Sequence, residues 1–125
     1  MIILLAEDSQ VLRREIEQAF RDIPGVEKVV LASSVAETRA VAKLQPFDLL
    51  VLDFALGDGT ALELLNDPPW GPETDPPPVI ILTIHASKPL FRQCFEAGAS
   101  YCFDKTTDWE ELLEVIASMA GGSAS

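Results

Sequence analysis

Residues 47–53 read F-D-L-L-V-L-D. Four apolar side chains in succession, Leu49–Leu52, end abruptly on the carboxylate of Asp53. An unbroken apolar run of this length suits a strand covered on both faces, where an alternating run would suit a sheet with one wet face. The same figure recurs at Met1–Ala6, Val29–Ala32, Val79–Leu82 and, more weakly, Tyr101–Phe103. Segments of helical period separate the runs. Five such strands alternating with five helices predict an α/β, doubly wound (βα)5 domain with a parallel sheet between two helical layers.

The helices carry readable ends. The first is predicted from about Ser9 to Arg21, with Leu12, Ile16, Ala19 and Phe20 on its inner face and Pro24-Gly25 as its stop. The second opens on Ser34-x-x-Glu37, the spacing of a capping box, and is expected to bury Ala36, Ala40, Val41 and Leu44. The third is short, about Thr60 to Asn66. The fourth starts near Ser87, accepts Pro89 in its first turn and stops at Gly98. The fifth opens on Thr107-x-x-Glu110, a second capping-box spacing, with Trp109, Leu112, Leu113 and Ile116 facing inward. Between Asp67 and Pro78 stand six of the nine prolines and one exposed-looking Trp70, which read as a surface loop.

Composition narrows the function. A chain of 125 residues fits one domain, here 1–120, with 121–125 as a tail. Twenty acidic against nine basic residues give a formal charge of −11. That excess argues against direct nucleic-acid binding, since phosphate contacts need a basic footprint. No apolar run is long enough for membrane insertion, and Met1–Ala6 lacks the basic start of a signal peptide. Cys94 and Cys102 form neither a CxxC motif nor a disulfide framework. A soluble, cytoplasmic protein is expected.

In an open α/β sheet, ligands bind beyond the carboxyl ends of the strands. Those ends carry Glu7-Asp8, Asp53, Thr83 and Lys105. Each has an ordinary structural reading: a helix cap, a turn, a strand hydroxyl, a surface ammonium. Together they make a chemical set. Clustered carboxylates repel one another, and a hard cation such as Mg²⁺ relieves the repulsion through oxygen ligands. One carboxylate oxygen then remains free to attack, while an ammonium and a hydroxyl hold the other oxygens of a phosphoryl group. The set favours phosphoryl transfer to an aspartate.

These residues also resemble a known family. The opening I-I-L-L-A-E-D-S, the segment L-L-V-L-D-F-A-L-G-D-G-T-A-L-E-L-L, V-I-I-L-T and E-A-G-A-S-Y-C-F-D-K are similar, in order and spacing, to receiver domains of bacterial two-component response regulators. The resemblance covers about Met1 to Ala120. It implies a flavodoxin-like three-layer sandwich with strand order 2-1-3-4-5. It implies that Asp53 is the phosphoacceptor and that Glu7, Asp8, Asp53 and the backbone carbonyl of Ala55 hold Mg²⁺, Glu7 through water. Thr83 matches the switch hydroxyl and Lys105 the lysine that contacts the phosphoryl group. A histidine kinase or phosphotransfer protein is the implied donor. A surface around the fourth helix, fifth strand and fifth helix is the implied output, toward a downstream protein target, an output domain or a second copy in a homodimer.

Several positions depart from the family pattern. Cys102 stands where an aromatic switch residue is usual, and strand alternation points Tyr101 and Phe103 to the opposite face. Cys102 reads as a small packing residue. Ile84 replaces a small residue after Thr83 and is expected to narrow access to Asp53. The side chain of Ala55 offers no polar group to place water, and His85 lies at the rim. Thr106 replaces the proline that follows the lysine, where the family's bond is typically cis. A cis bond before threonine costs about 2.5–4 kcal/mol, so either the fold supports it or the loop takes another path. Gly57 replaces a common proline and is expected to loosen the loop after the acceptor.

Two other function classes share parts of this pattern. One is a pseudo-receiver, the same fold acting as a protein–protein interaction module without phosphorylation, for which Cys102, Ile84 and Thr106 speak. Retention of all five polar site residues speaks against it. The other is a Mg²⁺-dependent hydrolase or nuclease-type domain, which needs another base or a second acidic pair after the third strand, whereas Asp58 in its glycine-flanked turn fits loop solvation better. Nucleotide binding is disfavoured by the lack of a glycine-rich fingerprint after the first strand. Signalling rather than turnover of an external substrate is the expected activity. Output passes by docking if the chain ends at residue 125, or through an attached domain if it does not.

Overall fold

In the computed structural model, which describes residues 1–71 and 75–121, each apolar run becomes a strand and each periodic segment a helix. The order is β1 (Ile2–Ala6), α1 (Gln10–Arg21), β2 (Lys28–Ala32), α2 (Val35–Leu44), β3 (Leu49–Asp53), α3 (Ala61–Asn66), β4 (Val79–Thr83), α4 (Lys88–Ala97), β5 (Tyr101–Asp104) and α5 (Trp109–Met119). The five strands pair in parallel in the order β2-β1-β3-β4-β5. Reversal of the winding at β1 places the carboxyl ends of β1, β3 and β4 around one crevice.

The apolar runs are continuous because the sheet has a core on each side. Ile3, Leu5, Leu49, Val51, Ile80 and Leu82 pack toward Ile16 and Phe20 of α1 and Leu112 and Ile116 of α5. Their neighbours Leu4, Ala6, Leu50, Leu52, Val79 and Ile81 pack toward Val35, Leu64 and Cys94 of α2, α3 and α4. At β5, Cys102 joins the second group and Phe103 the first, and Tyr101 stacks on Phe103 with ring centroids 5.9 Å apart. The alternation expected for Tyr101, Cys102 and Phe103 is therefore present.

Four local expectations are corrected. Helix α2 is turned away from the predicted face: Val35 and Thr38 are buried and Val41 and Ala42 half-buried, while Ala36 and Ala40 are exposed and Leu44 is 82% exposed. Thr38 faces inward at little cost because its hydroxyl donates to the Ser34 carbonyl at 2.7 Å. Ser34 does cap α2 by accepting from Glu37 N–H, but the Glu37 carboxylate takes the Ser33 amide rather than that of Ser34. At α5 the capping residue is Asp108, not Thr107, and its carboxylate turns back to accept from Asp104 N–H at 2.8 Å. Trp70 is half-buried against the α3–α4 side of the core rather than exposed. The predicted tail, 121–125, lies outside the described residues except for Gly121.

Candidate functional site

The strand ends converge as their order requires. Glu7 and Asp8 follow β1, Asp53 closes β3, Thr83 closes β4, and Lys105 follows β5. Lys105 Nζ lies 2.6 Å from Glu7 Oε1 and 3.1 Å from Asp53 Oδ2. Carboxylate oxygens of Glu7, Asp8 and Asp53 all lie within 4.8 Å of one another. One ammonium is thus set against three carboxylates.

Glu7 is the fixed member of the group. Its side chain is 2% exposed, and its second oxygen accepts from Ser9 N–H at 3.1 Å. Arg13 of α1 donates to the Glu7 carbonyl at 2.9 Å, and the Glu7 amide donates to Ala32 O. Burial acts to raise the Glu7 carboxyl, but the hydrogen bonds from Lys105 and Ser9 outweigh it and hold the group below its ordinary range. Lys105 is held above its ordinary range: burial opposes the charge, and Glu7 and Asp53 prevail. Asp53 moves the other way. Burial, assisted by the charges of Glu7 and Asp8 and opposed by Lys105, pushes it up to about 6. The cluster keeps excess negative charge, and its donors are hard oxygens. Such a donor set suits a hard divalent cation.

Thr83 is 3% exposed, and its Oγ1 accepts from His85 N–H at 3.0 Å. The Thr83 carbonyl accepts from Lys105 N–H at 2.9 Å, tying the β4 end to the lysine. His85 itself is exposed, as is Ile84 at 60%. Ile84 lines a cavity of about 490 Å³ between α1 and α5, together with Leu12, Ile16, Lys105, Thr106 and Trp109. Cys102 does not reach the acidic cluster. Its thiol meets that of Cys94 on α4, and burial first, then the neighbouring thiol, pushes it up to about 12.

The two loop substitutions take definite forms. No cis peptide bond occurs among the described residues, so Lys105–Thr106 is trans. Asp104 Oδ1 accepts from both the amide and the hydroxyl of Thr106, at 2.8 and 2.6 Å, closing the turn that carries Lys105. Gly57 has φ +49°, a conformation closed to proline. A Cβ at Gly57 would stand 3.7 Å from Asp8 Oδ2, so the loop runs close against the acidic cluster. The loop is not slack. Ala55 bridges Thr60, Leu56 N–H donates to Gly59 O at 2.9 Å, and Leu56 is fully buried.

Sequence reasoning missed two polar residues around the site. Arg13 carries no motif. Asp58 reads as a solvated loop residue but accepts from Val35 N–H and Ala36 N–H at 2.8 and 3.1 Å. Its partners are 22 and 23 residues away, beyond the reach of any local pattern.

Comparison with known proteins places this geometry among relatives. A family model described as the response regulator receiver domain matches residues 3–117. The chain is 25% identical over 120 residues to the response regulator UvrY of Escherichia coli K12, covering 96% of this chain and 54% of that protein. It is 31% identical over 122 residues to the nitrate/nitrite response regulator protein NarP of the same organism, covering 97% and 55%. It therefore spans about half the length of these relatives. Among solved structures, the receiver domain of the Francisella response regulator 1452 matches with TM-score 0.83 and 19% identity over 98% of each chain.

Proposed function

The chain belongs to the response regulator receiver domain family, and from that premise we propose that it accepts a phosphoryl group on Asp53 and passes the signal on as altered protein contacts. The observation that supports this most is the single cluster in which Lys105 Nζ lies 3.1 Å from Asp53 Oδ2 and 2.6 Å from Glu7 Oε1.

In this reading Asp53 is the nucleophile. A carboxylate oxygen forms a bond to phosphorus as the bond to the leaving group breaks, and the electron pair departs with that group. The leaving group is the imidazole of a phosphohistidine on a histidine kinase or phosphotransfer protein, or acetate when acetyl phosphate is the donor. With a carboxyl near 6, Asp53 is largely ionised at neutral pH. Lys105, kept protonated by Glu7, stands ready to hold a phosphoryl oxygen as charge develops. Thr83 Oγ1 uses an acceptor position on His85 N–H, which leaves its hydroxyl proton free for another phosphoryl oxygen. Mg²⁺, held by Asp8, Asp53, the Ala55 carbonyl and Glu7 through water, would neutralise charge on the incoming phosphoryl group.

The output surface comprises α4, β5 and α5, where Phe95 and Tyr101 are exposed apolar side chains. Downstream proteins, an attached output domain or a second copy of the chain are the candidate partners, in a cytoplasmic setting. No helix among the described residues is long and apolar enough to cross a membrane.

Intact-mass spectrometry after incubation with Mg²⁺ and acetyl phosphate tests the proposal. The expected result is a gain of about 80 Da, the mark of a phosphorylated nucleophile, absent from Asp53→Asn. A folded wild-type chain with no adduct and no beryllofluoride binding would leave only the interaction-module reading.

A further inference from the structure

The loop that carries Ala55 is tied to a helix that takes no part in the acidic cluster. Asp58 extends its carboxylate from the β3–α3 connection to the first two amides of α2. Those amides have no partner within their own helix. The next two donors are served locally, Glu37 N–H by Ser34 Oγ and Thr38 N–H by the Ser34 carbonyl. The carboxylate therefore serves the two amides that the helix and Ser34 leave open, at the end of α2 where a negative charge is favoured.

A second tie of opposite sign joins the same two units. Arg39 of α2 donates to the Glu63 carbonyl at 2.9 Å and to the Asp67 carbonyl, at the C-terminal end of α3. Helix α2 is thus clamped to both sides of α3, by Asp58 before it and Arg39 after it. Between Asp53 and Asp58 the chain has little freedom left. Leu56 is buried in the core, and Gly57 packs against Asp8.

We infer that Asp58 is a positioning residue for the cation and acceptor site, holding the Ala55–Gly57 backbone over Glu7, Asp8 and Asp53 through its hold on α2. The inference rests on the reading of that cluster as a Mg²⁺ site. A carboxylate that merely capped a helix would influence stability alone. One that sets the loop also influences how tightly the cluster binds a cation, as partners outside a metal's own ligands do.

Calorimetric titration of Mg²⁺ into the whole chain separates the two roles, with unfolding midpoints measured alongside. Asp58→Ala is expected to weaken Mg²⁺ binding about tenfold, the lower end of the effect of such outer partners. Asp58→Asn keeps one acceptor oxygen and the side-chain volume, and is expected to bind between the two. It also carries the test if the alanine variant fails to fold. Ser34→Ala removes a cap from the same end of α2 without touching the loop, and is expected to lower the midpoint while leaving Mg²⁺ affinity unchanged. Wild-type affinity in a folded Asp58→Ala or, failing that, Asp58→Asn chain would overturn the inference, as would a loss in Ser34→Ala equal to that in the Asp58 variant. Absence of Mg²⁺ binding by the wild type would instead remove the reading of the site itself, and the inference with it.

Discussion

Glu7 and Asp53 share one lysine and respond to pH with opposite sign. The Asp53 carboxyl titrates near 6 when folded and near 3.8 in its reference state, so the folded chain holds that proton more tightly. Stability from this group is complete below 3.8 and is lost as pH rises through about 6. Asp53→Asn removes the penalty. Without divalent cations at pH 7.5 it is expected to be about 1–3 kcal/mol more stable than wild type in urea titrations, an advantage that vanishes by about pH 3.5. Glu7 is held below its ordinary 4.5 by Lys105 and Ser9, so its contribution is present above that value and fades as pH falls through its folded titration. Glu7→Gln is expected to cost about 3 kcal/mol at pH 7.5, as when one partner of a buried pair is removed. The two variants should therefore diverge at neutral pH and converge in acid. Parallel pH profiles would contradict this assignment of charge.

At the level of elements, the strands were legible in full and the helix faces only where one side was clearly apolar. The runs at Leu49–Leu52 and Val79–Leu82 have no polar alternative, so a strand covered on both faces was the available reading. Helix α2 offered two comparable stripes. Its choice depends on Thr38 satisfying its hydroxyl internally and on Arg39 and Asp58 tying it to α3, none of which is a local pattern. The capping box expected at Thr107 failed because Asp108 is drawn back to Asp104 by the turn that carries Lys105. The acidic site was legible because its members sit at strand ends, whose relative positions follow from the topology. The Cys102 position was legible by alternation alone, and its consequence can be checked. Both thiols are pushed up by burial, Cys102 to about 12, so a thiol reagent at pH 8 is expected to leave the folded chain unlabelled. Both should react promptly in urea. Rapid labelling of Cys102 in the folded chain would show that β5 and α4 part more readily than their packing implies.

Across the whole molecule, the formal charge of −11 acts on stability and on cation binding at once. Acidic residues are spread over the fold: α5 alone carries Glu110, Glu111 and Glu114, with no basic residue in its last turn. Repulsion among them opposes the compact state and is screened by any salt. Sodium chloride is therefore expected to raise the urea midpoint of wild type and Asp53→Asn alike. Mg²⁺ adds a second contribution at the cluster, since a ligand that binds only the folded state stabilises it by mass action. At matched ionic strength, replacing sodium by Mg²⁺ should raise the wild-type midpoint further. The same exchange should do much less for Asp53→Asn, which lacks one of the three clustered carboxylates. The two effects thus separate by experiment: the generic one follows ionic strength, and the specific one follows Mg²⁺ and Asp53. An equal Mg²⁺ response in both chains would mean that screening accounts for the whole effect and that the cation does not settle at the cluster.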